Sequence, residues 1–278
     1  MSINFSPAAV RSDLDPLIVT APVIRSGTTL LQRLLCSSRT TLIYGELAAQ
    51  DLEFFLNLYM VRVQEYSYNR RVHTRNLEQA LTGNVNDWIP DLMPDIDEYL
   101  AALGRAAFAG VAYCRDCALR LGRPVWGFKY PGWKPPFIRL VRTLMPRARF
   151  IAITRELGAC VRSAKAQRPF DSLFEAQDFC RAWAEGMDYW RGAGGDPAAL
   201  VLSYEELTAA PAATLHRLAA FAGVDDIKPE VLGRKINAWT GGGPAQAHNG
   251  YAPPAELTGA EQQLVDETTS ALQARAPV

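Results

Sequence analysis

Five short apolar runs, rich in β-branched residues, alternate with longer segments of helical periodicity along this chain. Such alternation is typical of a parallel sheet covered by helices, because two parallel strands can be joined only by a long crossover. The 278 residues, 49% of them hydrophobic, suffice for one sizeable core. We therefore predict an α/β fold with a central parallel sheet flanked by helices, forming one domain over residues 1–278. The predicted strands are Leu17–Val23, Thr41–Tyr44, Val125–Phe128, Arg149–Thr154 and Leu200–Tyr204.

A helical insertion at about residues 47–123 separates the second and third predicted strands and is broken at Gly83–Pro94. It is rich in aromatic residues, which could cap a ligand crevice or simply pack helix on helix. After Val224 we predict a further helix, Pro229–Trp239, and then a Gly- and Pro-rich loop, Gly241–Pro254. The aromatics of the insertion include Phe54, Phe55, Tyr59, Tyr66, Tyr68 and Trp88.

Each predicted strand is followed within a few residues by a group suited to anion or hydroxyl chemistry. In open α/β sheets, ligands bind beyond the carboxyl ends of the strands. We therefore expect the five groups to converge on one crevice. They are Arg25, Glu46, Lys129, Arg155 and the cluster Tyr204–Glu206.

Charge and composition exclude several classes of function. Lys plus Arg and Asp plus Glu each total 29, so the net charge of zero argues against a nucleic-acid partner. No apolar run approaches the ~20 residues of a membrane span, and Met1–Asp15 lacks a secretory-signal pattern. We expect a cytoplasmic protein, and we make no prediction of its oligomeric state.

The cysteines are odd in number and widely spaced, which favours reduced thiols over a disulfide framework. Cys114 and Cys117 form a C-x-x-C pair in a helical context. Neither a second pair nor a nearby histidine completes a metal set, so we predict no metal site.

The segment from Leu17 to Leu35 predicts a strand, a tight turn and an amphipathic helix. Gly27 would let the backbone approach an anion, and the Thr28 and Thr29 hydroxyls and successive N–H groups would donate to it. The alternative is a plain helix N-cap at Ser26. A Walker A loop needs Lys directly after its second glycine, where this chain has Thr28, so hydrolysis of ATP or GTP is disfavoured.

The run Arg25-Ser26-Gly27-Thr28-Thr29 resembles the 5′-phosphosulfate loop of sulfotransferases that use 3′-phosphoadenosine 5′-phosphosulfate (PAPS). The likeness is closest to the bacterial and tyrosylprotein-type branch. It implies a P-loop-like three-layer fold and PAPS as co-substrate.

Two further segments carry the resemblance. Arg155, followed eight residues later by Ser163, resembles the 3′-phosphate motif, although the chain has Glu156-Leu157 where the family more often has Asp followed by Pro or Gly. Tyr204, in Ser-Tyr-Glu-Glu-Leu, resembles the family's tyrosine near the adenine. It could equally anchor the strand to the next helix.

The resemblance also implies catalytic roles. Glu46, after Gly45, corresponds to the family's catalytic base, and Lys129, in a Lys-x-Pro sequence, to the lysine at the bridging oxygen. Arg25 would stabilise the 5′-phosphosulfate. Glu46 could instead be a first-turn helix acid, Lys129 could be a solvated lysine, and a histidine, His73 or His248, remains an alternative base.

The family implies transfer of a sulfuryl group from PAPS to a hydroxyl of a small-molecule or peptidic acceptor, leaving 3′-phosphoadenosine 5′-phosphate (PAP), without a metal. The alternatives are a P-loop-type phosphotransferase and a non-catalytic nucleotide-binding module. Because acceptor pockets are built from insertions and loops, the acceptor itself is not predicted. We expect that shortening Phe54 or Trp88 alters acceptor affinity and leaves PAPS binding intact.

Overall fold

The computed structural model describes residues 11–84, 92–234, 236 and 255–275. Three predicted features, Trp88, His248 and the loop Gly241–Pro254, lie outside the described residues. Among the described residues, no helix is long and apolar enough to span a bilayer.

Five parallel strands form one sheet in the order β2-β3-β1-β4-β5. The predicted strands are all present, and the α/β fold with a central parallel sheet is confirmed. Four bounds differ from the prediction. β1 ends before Pro22, which cannot donate to a ladder, and β3 extends to Lys129. β5 begins at Ala199 and ends before Tyr204, which begins a helix capped by Ser203. The strands are β1 Leu17–Thr20, β2 Thr41–Tyr44, β3 Val125–Lys129, β4 Arg149–Thr154 and β5 Ala199–Ser203.

Nine α-helices and a short 3₁₀ helix lie within the described residues. The helix predicted at Pro229–Trp239 is wrong in type and extent: a 3₁₀ helix covers Pro229–Gly233, and Arg234 is already extended. The α-helices are α1 Thr28–Ser37, α2 Glu46–Leu81, α3 Ile96–Arg120, α4 Pro135–Leu144, α5 Leu157–Gln167, α6 Leu173–Gly192, α7 Tyr204–Ala209, α8 Pro211–Ala222 and α9 Gly259–Ala274.

Successive residues of a strand point to opposite faces of the sheet. Both faces here carry apolar side chains, and helices cover both of them. On β1, Ile18 joins a core built largely from α2, α3 and α4, whereas Leu17 and Val19 join a core built from α1, α7 and α8. On β4, Phe150 and Ile151 divide in the same way. The arrangement has three layers, and apolar side chains pack against both faces of the sheet.

The two helices between β2 and β3 pack against each other in antiparallel fashion. Near one end of the pair, Arg70 makes two hydrogen bonds of 2.7 Å with the carboxylate of Asp97. Near the other end, the Tyr44 hydroxyl donates to the carbonyl oxygen of Cys114 at 2.8 Å. That these helices are an insertion in a single domain stays a prediction.

Candidate active site

The site lies at the carboxyl ends of the strands, around the central strand β1. The connection after β1 leads to one side of the sheet, towards β2 and β3, while β4 and β5 lie on the other side. Ligands bind at such switch points because the connecting loops diverge there and leave a crevice. All of the predicted site residues lie at this edge, on five strand ends and the helices that follow them.

The loop between β1 and α1 has two residues in the left-handed backbone region. Gly27, the N-cap of α1, has φ of 108°, and Arg25 has φ of 69°. A non-glycine residue in this region costs on the order of 1–3 kcal/mol and is found most often at functional sites. The Ser26 hydroxyl is buried and donates to the Val23 carbonyl oxygen at 2.9 Å, so Ser26 offers only its backbone to a ligand.

Gly27 lies directly beneath the ring of Tyr204. A Cβ atom at Gly27 would be 2.6 Å from Cδ2 of Tyr204, closer than real carbon atoms approach. Both the positive φ and this contact require glycine. The predicted phosphate loop and the predicted adenine-side tyrosine are therefore in direct contact.

Arginine side chains link the first loop to the β4–α5 segment. Nε of Arg25 donates to Oγ of Ser163 at 3.1 Å, and Nη1 of Arg155 donates to the carbonyl oxygen of Arg25 at 3.0 Å. The Arg155 guanidinium also lies 4.3 Å from the centre of the Tyr204 ring, in cation–π geometry. The indole N–H of Trp183 fixes the Arg155 carbonyl oxygen at 2.9 Å. These contacts join Arg25, Arg155, Ser163 and Tyr204 in one cluster.

Lys129 and Glu46 form an ion pair across the crevice, in direct contact through Nζ and Oε1. The ammonium group also donates to Oγ1 of Thr29 at 3.4 Å, which joins the pair to the first turn of α1. The Lys129 side chain is 10% exposed and that of Glu46 is 41% exposed. Glu46 is the first residue of α2, where the helix dipole also favours its charge.

Gln32 is a supporting residue that sequence reasoning missed. Its amide donates to the carbonyl oxygens of Ile43 at 2.8 Å and Tyr44 at 3.1 Å, and it thereby holds the end of β2 against α1. Because Gly45 and Glu46 follow directly, this contact sets where the carboxylate stands. Gln32 lies four residues after Thr28, on the buried side of α1, and a buried amide in an apolar helix face was the available signal.

A second carboxylate beside the ion pair was also missed. Glu53 lies seven residues after Glu46, hence on the same face of α2, near Tyr130 and Trp133. Burial raises the pKa of Glu53, outweighing these two side chains, which lower it. Burial likewise raises the pKa of Tyr130, with the nearby Glu53 and Glu46 charges adding to the effect. The seven-residue spacing could have revealed this group.

Of the two histidine alternatives for the base, His248 lies outside the described residues and His73 loses support. His73 is in α2 and is buried, with its ring 5.3 Å from that of Tyr66. It lies 27 residues along the same helix from Glu46, or about 40 Å at 1.5 Å per residue. His73 is therefore too far from the ion pair to reach it. His216 is exposed on α8.

The cysteines are thiols in this structure. Cys114 and Cys117 lie one turn apart on α3, and Arg120 donates to the Cys117 sulfur at 3.0 Å. Cys160 is buried beneath the first loop, 3.5 Å from the Ser26 hydroxyl, and burial raises its pKa to about 11. Within the described residues, no three His, Cys, Asp or Glu side chains gather as a metal set would.

A cleft of about 370 Å³ lies between the start of α5 and α9. It contains none of the predicted site residues. Its lining includes Glu156, Arg162, Trp183, Gln262 and Asp266. The predicted site residues lie in the strand-end crevice and not in this cleft.

The chain is similar to several proteins of known structure and to one protein family. Three similar solved structures are the sulfotransferase domain from the Synechococcus PCC 7002 olefin synthase (19% identity, 93% of this chain and 98% of that one, TM-score 0.49), mouse sulfotransferase SULT7A1 complexed with PAP (11%, 97% and 87%, 0.49) and sulfotransferase STF1 from Mycobacterium tuberculosis H37Rv (16%, 95% and 78%, 0.45). No curated protein matches the chain in sequence. A family model described as "Sulfotransferase family" matches residues 16–228. The chain therefore belongs to the sulfotransferase family, and the prediction of a PAPS-dependent sulfotransferase is confirmed.

Proposed function

We propose that this enzyme moves the sulfuryl group of PAPS to a hydroxyl of a small-molecule or peptidic acceptor, with Glu46 as base and Lys129 as the cation at the bridging oxygen. The observation that carries the proposal is the direct contact of these two side chains, joined to Thr29 of the anion loop. The Lys129 ammonium group thus contacts both the Glu46 carboxylate and the anion loop. We propose no metal in the reaction.

The donor would be held at both of its charged ends. The backbone of residues 25–29, with the Thr28 and Thr29 hydroxyls and the Arg25 guanidinium, suits the 5′-phosphosulfate. Arg155 and Ser163 suit the 3′-phosphate, and Tyr204 would lie against the adenine. In the structure Arg25 and Arg155 use their N–H groups on Ser163 and on the loop carbonyl. These bonds would give way to stronger ones, because a charged acceptor binds a guanidinium more tightly than a neutral oxygen does.

The reaction requires one proton transfer and the stabilisation of one departing oxygen. The acceptor oxygen attacks sulfur while the bond between sulfur and the bridging oxygen breaks, in line, as in phosphoryl transfer. Glu46 takes the proton of the acceptor hydroxyl. Lys129 stabilises the negative charge that builds up on the bridging oxygen. The products are a sulfate ester and PAP.

The acceptor would approach from the side of α2. Glu46 is exposed enough to be reached from solvent, and the neighbouring Glu53 and Tyr130 offer polar groups to an incoming ligand. Phe54, predicted to shape this pocket, is exposed on α2, and Trp88 lies outside the described residues. We also propose a cytoplasmic location, which the free thiols support.

The donor assignment is tested by thermal unfolding with PAP, and with magnesium ATP as comparator. A ligand at about 100 times its dissociation constant adds roughly 2.7 kcal/mol, which should raise Tm by roughly 5–10 °C in a chain of this size. We expect this shift with PAP, its loss in Arg155→Ala, and its retention in Arg168→Ala, an exposed arginine away from the site. A shift with magnesium ATP and none with PAP would overturn the assignment and favour a phosphotransferase.

A further inference from the structure

Helix α2 carries two apolar stripes on opposite sides. The inner stripe is buried and faces the core and α3. The outer stripe follows the same alternating spacing of three and four residues, two positions later along the chain. Two residues correspond to about 200° around a helix, so the outer stripe points away from the core. The inner stripe is Ala49, Leu52, Leu56, Tyr59, Val63 and Tyr66; the outer stripe is Leu47, Asp51, Phe54, Leu58, Val61, Glu65, Tyr68 and Val72.

The apolar members of the outer stripe are large and exposed. Their exposed fractions run from 43% for Leu58 to 88% for Tyr68, and Phe55 is exposed beside them. The stripe from Leu47 to Val72 is about 37 Å long. A seam of this kind, with apolar residues at alternating three- and four-residue spacing, is the surface on which a second helix packs in a coiled coil.

We propose that the outer stripe is the interface of a homodimer, in which α2 of one copy packs antiparallel against α2 of a second copy across a two-fold axis. This pairing is independent of the sulfuryl-transfer reaction. The exposed parts of Phe54, Phe55 and Tyr68 alone amount to roughly 400 Å² per protomer, taking about 200 Å² for a whole aromatic side chain. With the aliphatic members of the stripe, the buried area approaches the ~800 Å² per partner of a stable interface.

The distribution of charge along α2 specifies the antiparallel orientation. Residues 46–61 contain three acidic residues and no Lys or Arg, whereas residues 62–75 contain four arginines and one acidic residue. An antiparallel pair places each acidic half against a basic half; a parallel pair would place like against like. The acids of the first half are Glu46, Asp51 and Glu53, and the arginines of the second are Arg62, Arg70, Arg71 and Arg75. Glu46, Arg62 and Arg70 already form ion pairs within the chain, so the orientation depends on Asp51, Glu53, Arg71 and Arg75.

The spacing of the stripe also fixes the register. If Leu58 packs against Val61 of the second copy, residues whose numbers add up to 119 lie opposite each other. Leu47 then meets Val72, and Asp51 lies within one turn of Arg71. Both ends of the seam are closed by apolar pairs, and the buried carboxylate at Asp51 gains a cation.

The mass of the full chain in solution, measured by sedimentation, tests the proposal. We expect twice the 30.6 kDa of one chain for the wild type and a single-chain mass for Val61→Glu. Leu119→Glu, at a similarly exposed position on α3, should remain dimeric. Far-UV circular dichroism and Tm, equal in the two variants, would show that the loss of mass is not unfolding. A wild-type monomer at every concentration, or a dimer that survives Val61→Glu, would overturn the proposal in favour of another partner.

A charge exchange tests the orientation. Asp51→Arg and Arg71→Glu should each weaken self-association, because each places like charges together twice across the axis. A mixture of the two variants should associate again, since both contacts then join opposite charges. Failure of the mixture to associate would overturn the antiparallel arrangement.

Discussion

At the scale of single residues, the site depends on a few positions that require either a particular backbone conformation or a charged side chain. The sequence already indicated most of them, because Arg25–Thr29, Glu46, Lys129 and Arg155 each follow a recognisable strand. It could not indicate the contacts between them. That Tyr204 covers Gly27, or that Lys129 meets Glu46, depends on strand order, which no local pattern encodes.

Replacing Gly27 by alanine should destabilise the protein and weaken PAP binding together. The left-handed backbone alone costs an alanine about 1–2 kcal/mol, and the new methyl group would displace Tyr204. We expect Tm to fall by roughly 2–8 °C in thermal unfolding. Gly45→Ala is the matched control: its φ is −78°, and a Cβ there meets nothing within 4 Å. Equal effects of the two substitutions would contradict this account.

Removing Lys129 or the Glu46 charge should reduce turnover with little effect on donor binding. Loss of one preorganised group typically costs about 10²- to 10³-fold in rate. We expect losses of this order for Lys129→Ala and Glu46→Gln in single-turnover assays, with the thermal shift by PAP retained. Unchanged activity in both variants would overturn these two roles, whereas a wild type that binds PAP but transfers no sulfuryl group would support a non-catalytic nucleotide-binding module.

At the scale of elements, strands were predicted better than helices. The bounds of β2 and β4 follow directly from β-branched runs bounded by polar residues. The segment after Lys228 was wrongly predicted to be a long helix. The spacing of its apolar residues fits a single helical turn as well as a helix of three turns, and a proline such as Pro229 can begin either of them. The position of α9 on α5 and α6 was not predictable, since it depends on a buried ion pair between Lys165 and Glu261, far apart in sequence.

This ion pair predicts a pH dependence of stability. Partial burial raises the pKa of Glu261, but hydrogen bonds from Lys165 and from Thr258 outweigh it and hold the pKa below its usual value. A carboxylate with a lowered pKa in the folded state stabilises above its unfolded pKa, and this stability is lost as the pH falls through the folded pKa. Glu261→Gln keeps the capping partner of Thr258 but removes the charge.

We expect Glu261→Gln to lower the free energy of unfolding by about 1–2 kcal/mol near neutral pH. The difference from wild type should shrink as the pH falls through the lowered pKa of Glu261 in the folded protein, where the wild-type carboxyl also becomes neutral. Urea unfolding at several pH values measures it. Glu267→Gln, on the exposed side of α9, should show neither effect; a constant difference at all pH values would count against the ion pair.

At the scale of the whole molecule, the sequence predicted the architecture, and the family match supports the reaction. The acceptor side was not predictable, because it depends on how α2 and α3 fold over the sheet edge. The outer stripe shows the same limit. Its spacing can be read from the sequence, but only the structure shows which of the two stripes of α2 the core uses.

The Cys160 thiol should report opening of the whole molecule. It is fully buried in the core beneath the first loop, and its pKa of about 11 leaves almost no thiolate at neutral pH. We expect iodoacetamide to label Cys160 far more slowly than the partly exposed Cys117, as followed by mass spectrometry. PAP should slow the labelling of Cys160 further and leave that of Cys117 unchanged. Equal rates for the two thiols would show that the loop opens locally.

The Lys129–Glu46 ion pair also bears on a reaction that the enzyme should avoid. A crevice open to solvent contains water. A free carboxylate beside the sulfuryl group could activate that water, and PAPS would then be hydrolysed without sulfation of an acceptor. While Lys129 holds Glu46, one carboxylate oxygen is already occupied by the ammonium group. We expect this contact to suppress hydrolysis of PAPS in the resting site, until an acceptor hydroxyl takes the place of the ammonium group at that oxygen and expels the water as it enters.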